Sequence, residues 1–379
     1  MHDRRLSARR LWAQVVRAEA GRGDGVGQAT TKAERPTRGL RSGSARGSRA
    51  VSMERLMRGA ESVAYCVVVA PLAARLPASL AYRIACWRGD WCFRYRASKR
   101  SEIVRNLCQV LGDEFGQQEA ERLARQFFRM TSCEVIDVMR LRGRAESLAK
   151  LVEIRGREHL DATLAAGKGA ILCTAHFGSF TSAFSLLHTS GYPLTAIGRT
   201  WWKYEAGKSS AEQRLWDFVY ARRLQRHRQR PNIEPWPGRI QVAVQAAVAL
   251  HANEVVTISS DAPPLDADQA RAVEVPFLGR HARLLPGVVG LSRLTGAPVL
   301  MTFVYRSADY CHQVLEISPP VSLEGQTVTA FGRCVAAMDA AVKRSPAEWV
   351  YWACTEDLAN LGLLPSGSRP DSTSPSAAL

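Results

Sequence analysis

No stretch of about 20 residues in this sequence is uninterruptedly apolar, which excludes a polytopic membrane protein. There is no C-x-x-C pair, and no Cys/His grouping has zinc spacing, so no structural metal site is expected. No G-x-G-x-x-G or Walker loop occurs, which argues against a nucleotide cofactor. G-x-S-x-G is also missing, so Ser179 lacks a nucleophile-elbow context and covalent serine chemistry is not expected. The N-terminus has no secretory h-region. The nine cysteines are odd in number and scattered, and most lie in apolar runs, as small buried residues of a reducing compartment do.

What is present is a chain of 379 residues with an ordinary globular balance, 46% hydrophobic and 23% charged. Basic residues outnumber acidic ones by 51 to 35. Half of that excess lies in the first 50 residues, where 12 Arg and Lys face 4 Asp and Glu. The remaining 39 against 31 leave the body moderately basic, which suits an anionic partner. The run Arg222 to Arg230 is intensely basic, but no nucleic-acid motif accompanies it, so no nucleic-acid partner is expected.

Composition divides the chain into four stretches. Residues 1–52, rich in Arg, Gly, Ser and Thr, are expected to be a basic disordered arm, or sequence upstream of a true start at Met53. Residues 53–145 read as an N-terminal helical region. Its apolar stretch Ser62 to Ala81 is broken by Pro71, Arg75 and Pro77, too often for a spanning helix. With Trp87, Trp91, Arg88, Arg94 and Arg96 beside it, it suits a membrane interface; a buried helical hairpin is the alternative. Residues 146–360 alternate short apolar runs with helical periodicity, predicting an α/β domain with a largely parallel or mixed central sheet flanked by helices. Residues 361–379 are expected to form a disordered tail.

The most informative local pattern is Cys173-Thr174-Ala175-His176-Phe177-Gly178-Ser179-Phe180-Thr181. A buried strand ends, a histidine appears at its C-terminal edge, and a helix follows. Open α/β sheets place ligands at that edge. A histidine there can act as a general base, because it titrates near neutrality. Gly178 allows close backbone approach, and the new helix offers N–H groups to an anion.

Several motifs in fixed order are familiar. They are Gly156-Arg157-Glu158-His159-Leu160, Ala166-Gly167-Lys168-Gly169, Ala175-His176-Phe177-Gly178, Val275-Pro276-Phe277-Leu278-Gly279-Arg280, Gly296-Ala297-Pro298-Val299, and Pro346 to Trp352. Together with Arg100 to Leu107, this set resembles the lipid A biosynthesis (lauroyl/myristoyl) acyltransferase family. The ordered matches run from about residue 60 to 352. The resemblance implies a glycerolipid-acyltransferase-like fold with an N-terminal membrane-associating region. It implies movement of an acyl group from acyl carrier protein or acyl-CoA to a hydroxyl or amine of a lipid, glycolipid or hydrophobic metabolite. It also implies an anionic membrane surface as partner, at the cytoplasmic face of a bacterial inner membrane, with peripheral or single anchoring. No cofactor or metal is implied.

The family's signature is a histidine followed five positions later by Asp or Glu. Here that position holds Thr181, whose hydroxyl can accept a hydrogen bond but carries no charge. Three explanations stand: Asp261, after a neighbouring strand, replaces the acid; the acceptor needs less base assistance; or the chain is a catalytically silent homologue that binds acyl carrier protein or lipid as a partner subunit. By the same resemblance, Arg199 is expected to meet phosphate or the developing oxyanion, and Arg280 an anionic head group. Trp349 and Trp352 are expected to be structural.

Overall fold

The computed structural model describes residues 61–62, 64–112, 116–198, 241–264 and 266–365. Arg199 and the basic run Arg222 to Arg230 lie outside the described residues, as do residues 1–52 and 366–379. The described residues from Ser62 onward form one compact unit, so the N-terminal helices and the sheet belong together.

The described chain begins with a π-helical turn (Tyr65–Val69) running into α1 (Ala70–Ala73), then α2 (Ala78–Tyr95), α3 (Ala97–Leu111) and α4 (Gln117–Ala149). Strands and helices then alternate: β1 (Val152–Arg155), α5 (Arg157–Ala165), β2 (Ala170–Thr174), α6 (Phe180–Thr189) and β3 (Leu194–Ile197). After the undescribed stretch come α7 (Gln241–His251), β4 (Val255–Ser259), the hairpin β5 (Val273–Phe277) and β6 (Arg280–Leu284), and α8 (Gly287–Thr295). The chain closes with β7 (Val299–Arg306), β8 (Gln313–Pro320), α9 (Thr327–Arg344) and α10 (Thr355–Asn360).

Six strands form one sheet in the order β1-β8-β7-β2-β4-β3. All pairs are parallel except β7–β8, so the sheet is mixed and mostly parallel. Every residue of β2 is buried, as a central strand covered on both faces requires. Its side chains alternate between two cores: Ile171 and Cys173 pack with residues of α7, α8 and α9, while Ala170 and Leu172 pack with residues of α5 and α6.

Two features differ from the sequence expectation. Residues 275–280, which by resemblance are the family's phenylalanine-glycine loop, form the central half of the β5–β6 hairpin, turning at Leu278 and Gly279, both with positive φ. A turn with two left-handed residues matches the twist of the flanking strands. Leu278 is held in that conformation because its N–H donates to Asp339 Oδ1 at 2.6 Å. The first residues of the expected tail are ordered into the fold: Leu361, Leu363 and Leu364 are buried in the main core, and the Leu361 carbonyl accepts from Arg283 N at 2.8 Å. Three leucines covering the hairpin outweigh the Pro/Ser/Gly composition beyond them.

Candidate active site

Strands β2 and β4 are parallel neighbours in fixed register, with Ala170 opposite Val255 and Thr174 opposite Ser259. The register continues past the strand ends, where Ser260 N donates to the Thr174 carbonyl at 2.9 Å. Two residues beyond each last pair stand His176 and Asp261. Adjacent strands therefore deliver both side chains to the same height at the carboxyl edge of the sheet.

They bond twice. The His176 backbone N donates to Asp261 Oδ2 at 2.8 Å, and ring Nδ1 lies 2.7 Å from Oδ1. A carboxylate partner makes Nδ1 the protonated nitrogen, which leaves Nε2 of the neutral ring as a base. Asp261 has no solvent exposure, while the histidine side chain is 29% exposed. Trp349 Nε1 donates to Asp261 Oδ2 at 2.8 Å, so three donors fix the carboxylate. The Tyr351 hydroxyl lies 3.3 Å from Nδ1, and the rings of Phe180 and Tyr351 pack edge-on against the imidazole. Burial pushes the His176 pKa down, but the charge and hydrogen bond of Asp261 outweigh it and hold the net value above the usual histidine range.

The peptide carrying His176 is clamped by the segment after α9. Gly178 N donates to the Glu348 carbonyl at 2.9 Å, and Val350 N donates to the His176 carbonyl at 3.1 Å. Gly178 has φ +58°, and a Cβ there would lie 2.1 Å from the Val304 carbonyl oxygen. This corrects the expectation that Gly178 opens its backbone to a ligand: its N–H is already bonded, and the missing side chain makes room for β7.

Thr181, in the first turn of α6, is half-buried, and among the described residues its hydroxyl makes no hydrogen bond. The acid expected near His176 is therefore Asp261 in space, and Thr181 does not hold the ring. Arg280 is exposed on β6, and its Nη2 donates to the Gln109 carbonyl at 2.6 Å. It ties the hairpin to α3, and among the described residues it makes no hydrogen bond to the His176–Asp261 pair. Arg199 lies outside the described residues.

Beneath the histidine loop is a charged cluster that sequence reasoning missed. Asp137 of α4, fully buried, accepts hydrogen bonds from Tyr82, Ser179 and Arg306. Arg306 Nη2 also donates to Ser179 Oγ at 2.6 Å, and Arg306 N donates to Glu348 Oε1 at 2.6 Å. Burial pushes the Glu348 and Glu134 carboxyls up to about 7, which limits the negative charge gathered around one guanidinium. The signal available in sequence was Asp137 inside the apolar run Val135 to Met139, because a buried acid requires a partner. Trp349, expected to be structural, proves to touch the site through its indole N–H.

A profile of the bacterial lipid A biosynthesis acyltransferases matches residues 54–353. The chain belongs to the bacterial lipid A biosynthesis acyltransferase family. A lipid A biosynthesis acyltransferase of Haemophilus influenzae is 21% identical over 279 residues, covering 73% of this chain and 80% of that protein. Membership implies lipid acyl transfer in general, and the matched span contains His176, Asp261 and the Pro346 to Trp352 segment. The acid that the resemblance expects five residues after the histidine is absent from this sequence, which has Thr181 there. Here a parallel strand brings Asp261 to the histidine, with Thr181 at the motif position.

Proposed function

We propose that this chain transfers an acyl group from acyl carrier protein or acyl-CoA to a hydroxyl or amine of a lipid, glycolipid or hydrophobic metabolite. The reading rests on the 2.7 Å contact between His176 Nδ1 and buried Asp261, which leaves Nε2 as the basic nitrogen. In this scheme Nε2 removes the acceptor proton as the acceptor attacks the thioester carbonyl. Asp261 stabilises the imidazolium that forms. The tetrahedral intermediate collapses, the thiolate leaves, and the imidazolium returns the proton to it. Arg199 is assigned to the oxyanion or an anionic head group, since its fork of donors matches either.

The same proposal places the protein peripherally on an anionic membrane, at the cytoplasmic face of a bacterial inner membrane. Among the described residues no helix is long and apolar enough to cross a bilayer. One face of α2 exposes Leu80, Arg83, Trp87, Trp91, Arg94 and Tyr95, and Val67, Val68, Val69 and Leu72 are exposed just before it. The acidic residue of α2, Asp90, turns away to bond Arg125 and Arg129. Aromatic and basic side chains without acidic ones suit a headgroup layer.

The test is single-turnover transfer from radiolabelled acyl carrier protein or acyl-CoA to a lipid extract. His176→Ala and Asp261→Asn should each lower the rate by roughly three to four orders of magnitude, while Thr181→Ala stays within about tenfold of wild type. Turnover that survives in Asp261→Asn but disappears in Thr181→Ala would overturn the assignment of the acid. A wild-type protein that binds the acylated carrier but neither transfers nor hydrolyses the chain would establish the silent homologue instead.

A further inference from the structure

Helices α2 and α4 run antiparallel and meet in rungs four residues apart. Tyr82 Oη donates to Asp137 Oδ1 at 2.5 Å, and Arg129 Nε and Nη2 donate to the two oxygens of Asp90 at 2.6 and 2.7 Å. Between these rungs Cys86 faces Cys133, with the two Sγ atoms 4.0 Å apart. A four-residue step returns to the same helix face, so 82, 86 and 90 oppose 137, 133 and 129 in order. The helices touch backbone to backbone at the ionic rung, one turn from the thiols: a Cβ on Gly89 would lie 2.5 Å from Arg129 Cα. The ionic and tyrosyl rungs on either side hold the two sulfurs in register.

The two thiols differ as a reactive pair requires. Cys86 is half-buried, whereas Cys133 is fully buried. The hydrogen bond with Cys133, aided by Arg129, lowers the Cys86 pKa below the usual thiol value, although burial opposes it. Burial raises that of Cys133. A half-buried cysteine of lowered pKa, held against a second thiol, is the arrangement oxidants act on.

We propose that Cys86 and Cys133 form a reversible dithiol switch, closed to a disulfide by a peroxide, which slows acyl transfer at His176; the second clause rests on the function proposed above. The Cys86 thiolate attacks one peroxide oxygen, the O–O bond breaks, and a sulfenic acid forms with release of water after protonation. The Cys133 sulfur then attacks the sulfenic sulfur, the S–S bond forms, the S–O bond breaks, and a second water leaves. Two electrons pass from the thiols to the peroxide. A disulfide holds its sulfurs about 2 Å apart, so the rung must close from 4.0 Å. Asp137 lies one turn along α4 and carries the bonds to Ser179 and Arg306, and Ser179 is three residues from His176. Closing the rung therefore strains the support of the histidine loop.

The experiment treats the full-length protein with hydrogen peroxide, blocks remaining thiols with a maleimide, digests without reductant and reads linked peptides by mass spectrometry. A Cys86–Cys133 linked peptide is expected, removed by dithiothreitol and missing from Cys86→Ser and Cys133→Ala. In parallel, peroxide should slow transfer at least about fivefold in wild type, reversibly, and leave Cys86→Ser within about twofold. Linkage to other cysteines, or only sulfinic and sulfonic acid at Cys86, would overturn the switch. A formed disulfide with unchanged transfer would overturn the coupling. The peptide readout requires no turnover, so a failure of the acyl-transfer reading is seen separately from a failure of the thiol pair.

Discussion

Asp261 receives three hydrogen bonds, two from His176 and one from Trp349, and each has a different consequence. The bond to Nδ1 sets the tautomer. The bond to the backbone N fixes the loop. The indole bond holds the carboxylate at its angle. His176 acts as a base only when neutral, and Asp261 raises its pKa. The rate should therefore fall as pH drops through a value above the usual 6.5. In Asp261→Asn the raising partner is gone and burial remains, so the residual activity should titrate at lower pH; a pH–rate profile for each form checks this. Trp349→Phe removes one donor from a buried acceptor, at a cost of about 1–3 kcal/mol. Transfer should drop roughly tenfold in kcat with KM little changed, because the indole touches the acid and not the substrate.

The helix α3 explains how the aromatic segment is held over the site. Lys99 Nζ donates to the Ala353 carbonyl at 2.8 Å, and Asn106 Nδ2 donates to the Trp352 carbonyl at 2.9 Å. Thr355 Oγ1 lies within hydrogen-bond distance of Glu102 Oε1 and Asn106 Oδ1, at 3.0 and 3.2 Å. One polar face of a helix thus grips the backbone of a segment some 250 positions away, and that segment supplies Trp349 and Tyr351. Asn106→Leu leaves the buried Trp352 carbonyl without its donor and should cost about 2 kcal/mol, seen as a lower thermal midpoint. Transfer should also fall under conditions where the variant is fully folded, because the released segment carries the indole on Asp261. The β5–β6 hairpin shows why some elements stayed hidden. Its strands are five residues each, one contains Pro276, and its turn places a leucine at positive φ. The N–H of that leucine bonds the distant Asp339, and no local pattern announces it.

At the scale of the whole molecule, one edge of the sheet carries the chemistry and the N-terminal helices present an apolar, aromatic and basic surface. The membrane proposal predicts co-sedimentation with vesicles containing anionic phospholipid, weaker with neutral vesicles and at high salt. Trp87→Ser with Trp91→Ser should reduce binding by at least about tenfold, since each buried aromatic contributes on the order of 1–2 kcal/mol at an interface. Equal binding of the double variant would move the contact to another face.

The sequence alone determined the alternation of strands and helices, the buried central strand that ends just before His176, and the family. Those features are local: burial on both faces demands a continuous apolar run, and a glycine or proline stands within two residues of the end of α3, α5, α6, α8, α9 and α10. The ordered motifs also bracket the site, since His176, the Val275 to Arg280 stretch and the Trp349 segment all lie among them. What only the tertiary structure decided was the choice of acid. Thr181 is near in the chain but on a helix turn that makes no bond to the ring, whereas Asp261 is 85 positions away and two residues past a strand in matched register. The same holds for Asp137 with Arg306 and for Cys86 with Cys133. Hydrogen bonds and sulfur contacts depend on ångström distances across packed elements, and sequence separation carries no information about those until the sheet and helices have assembled.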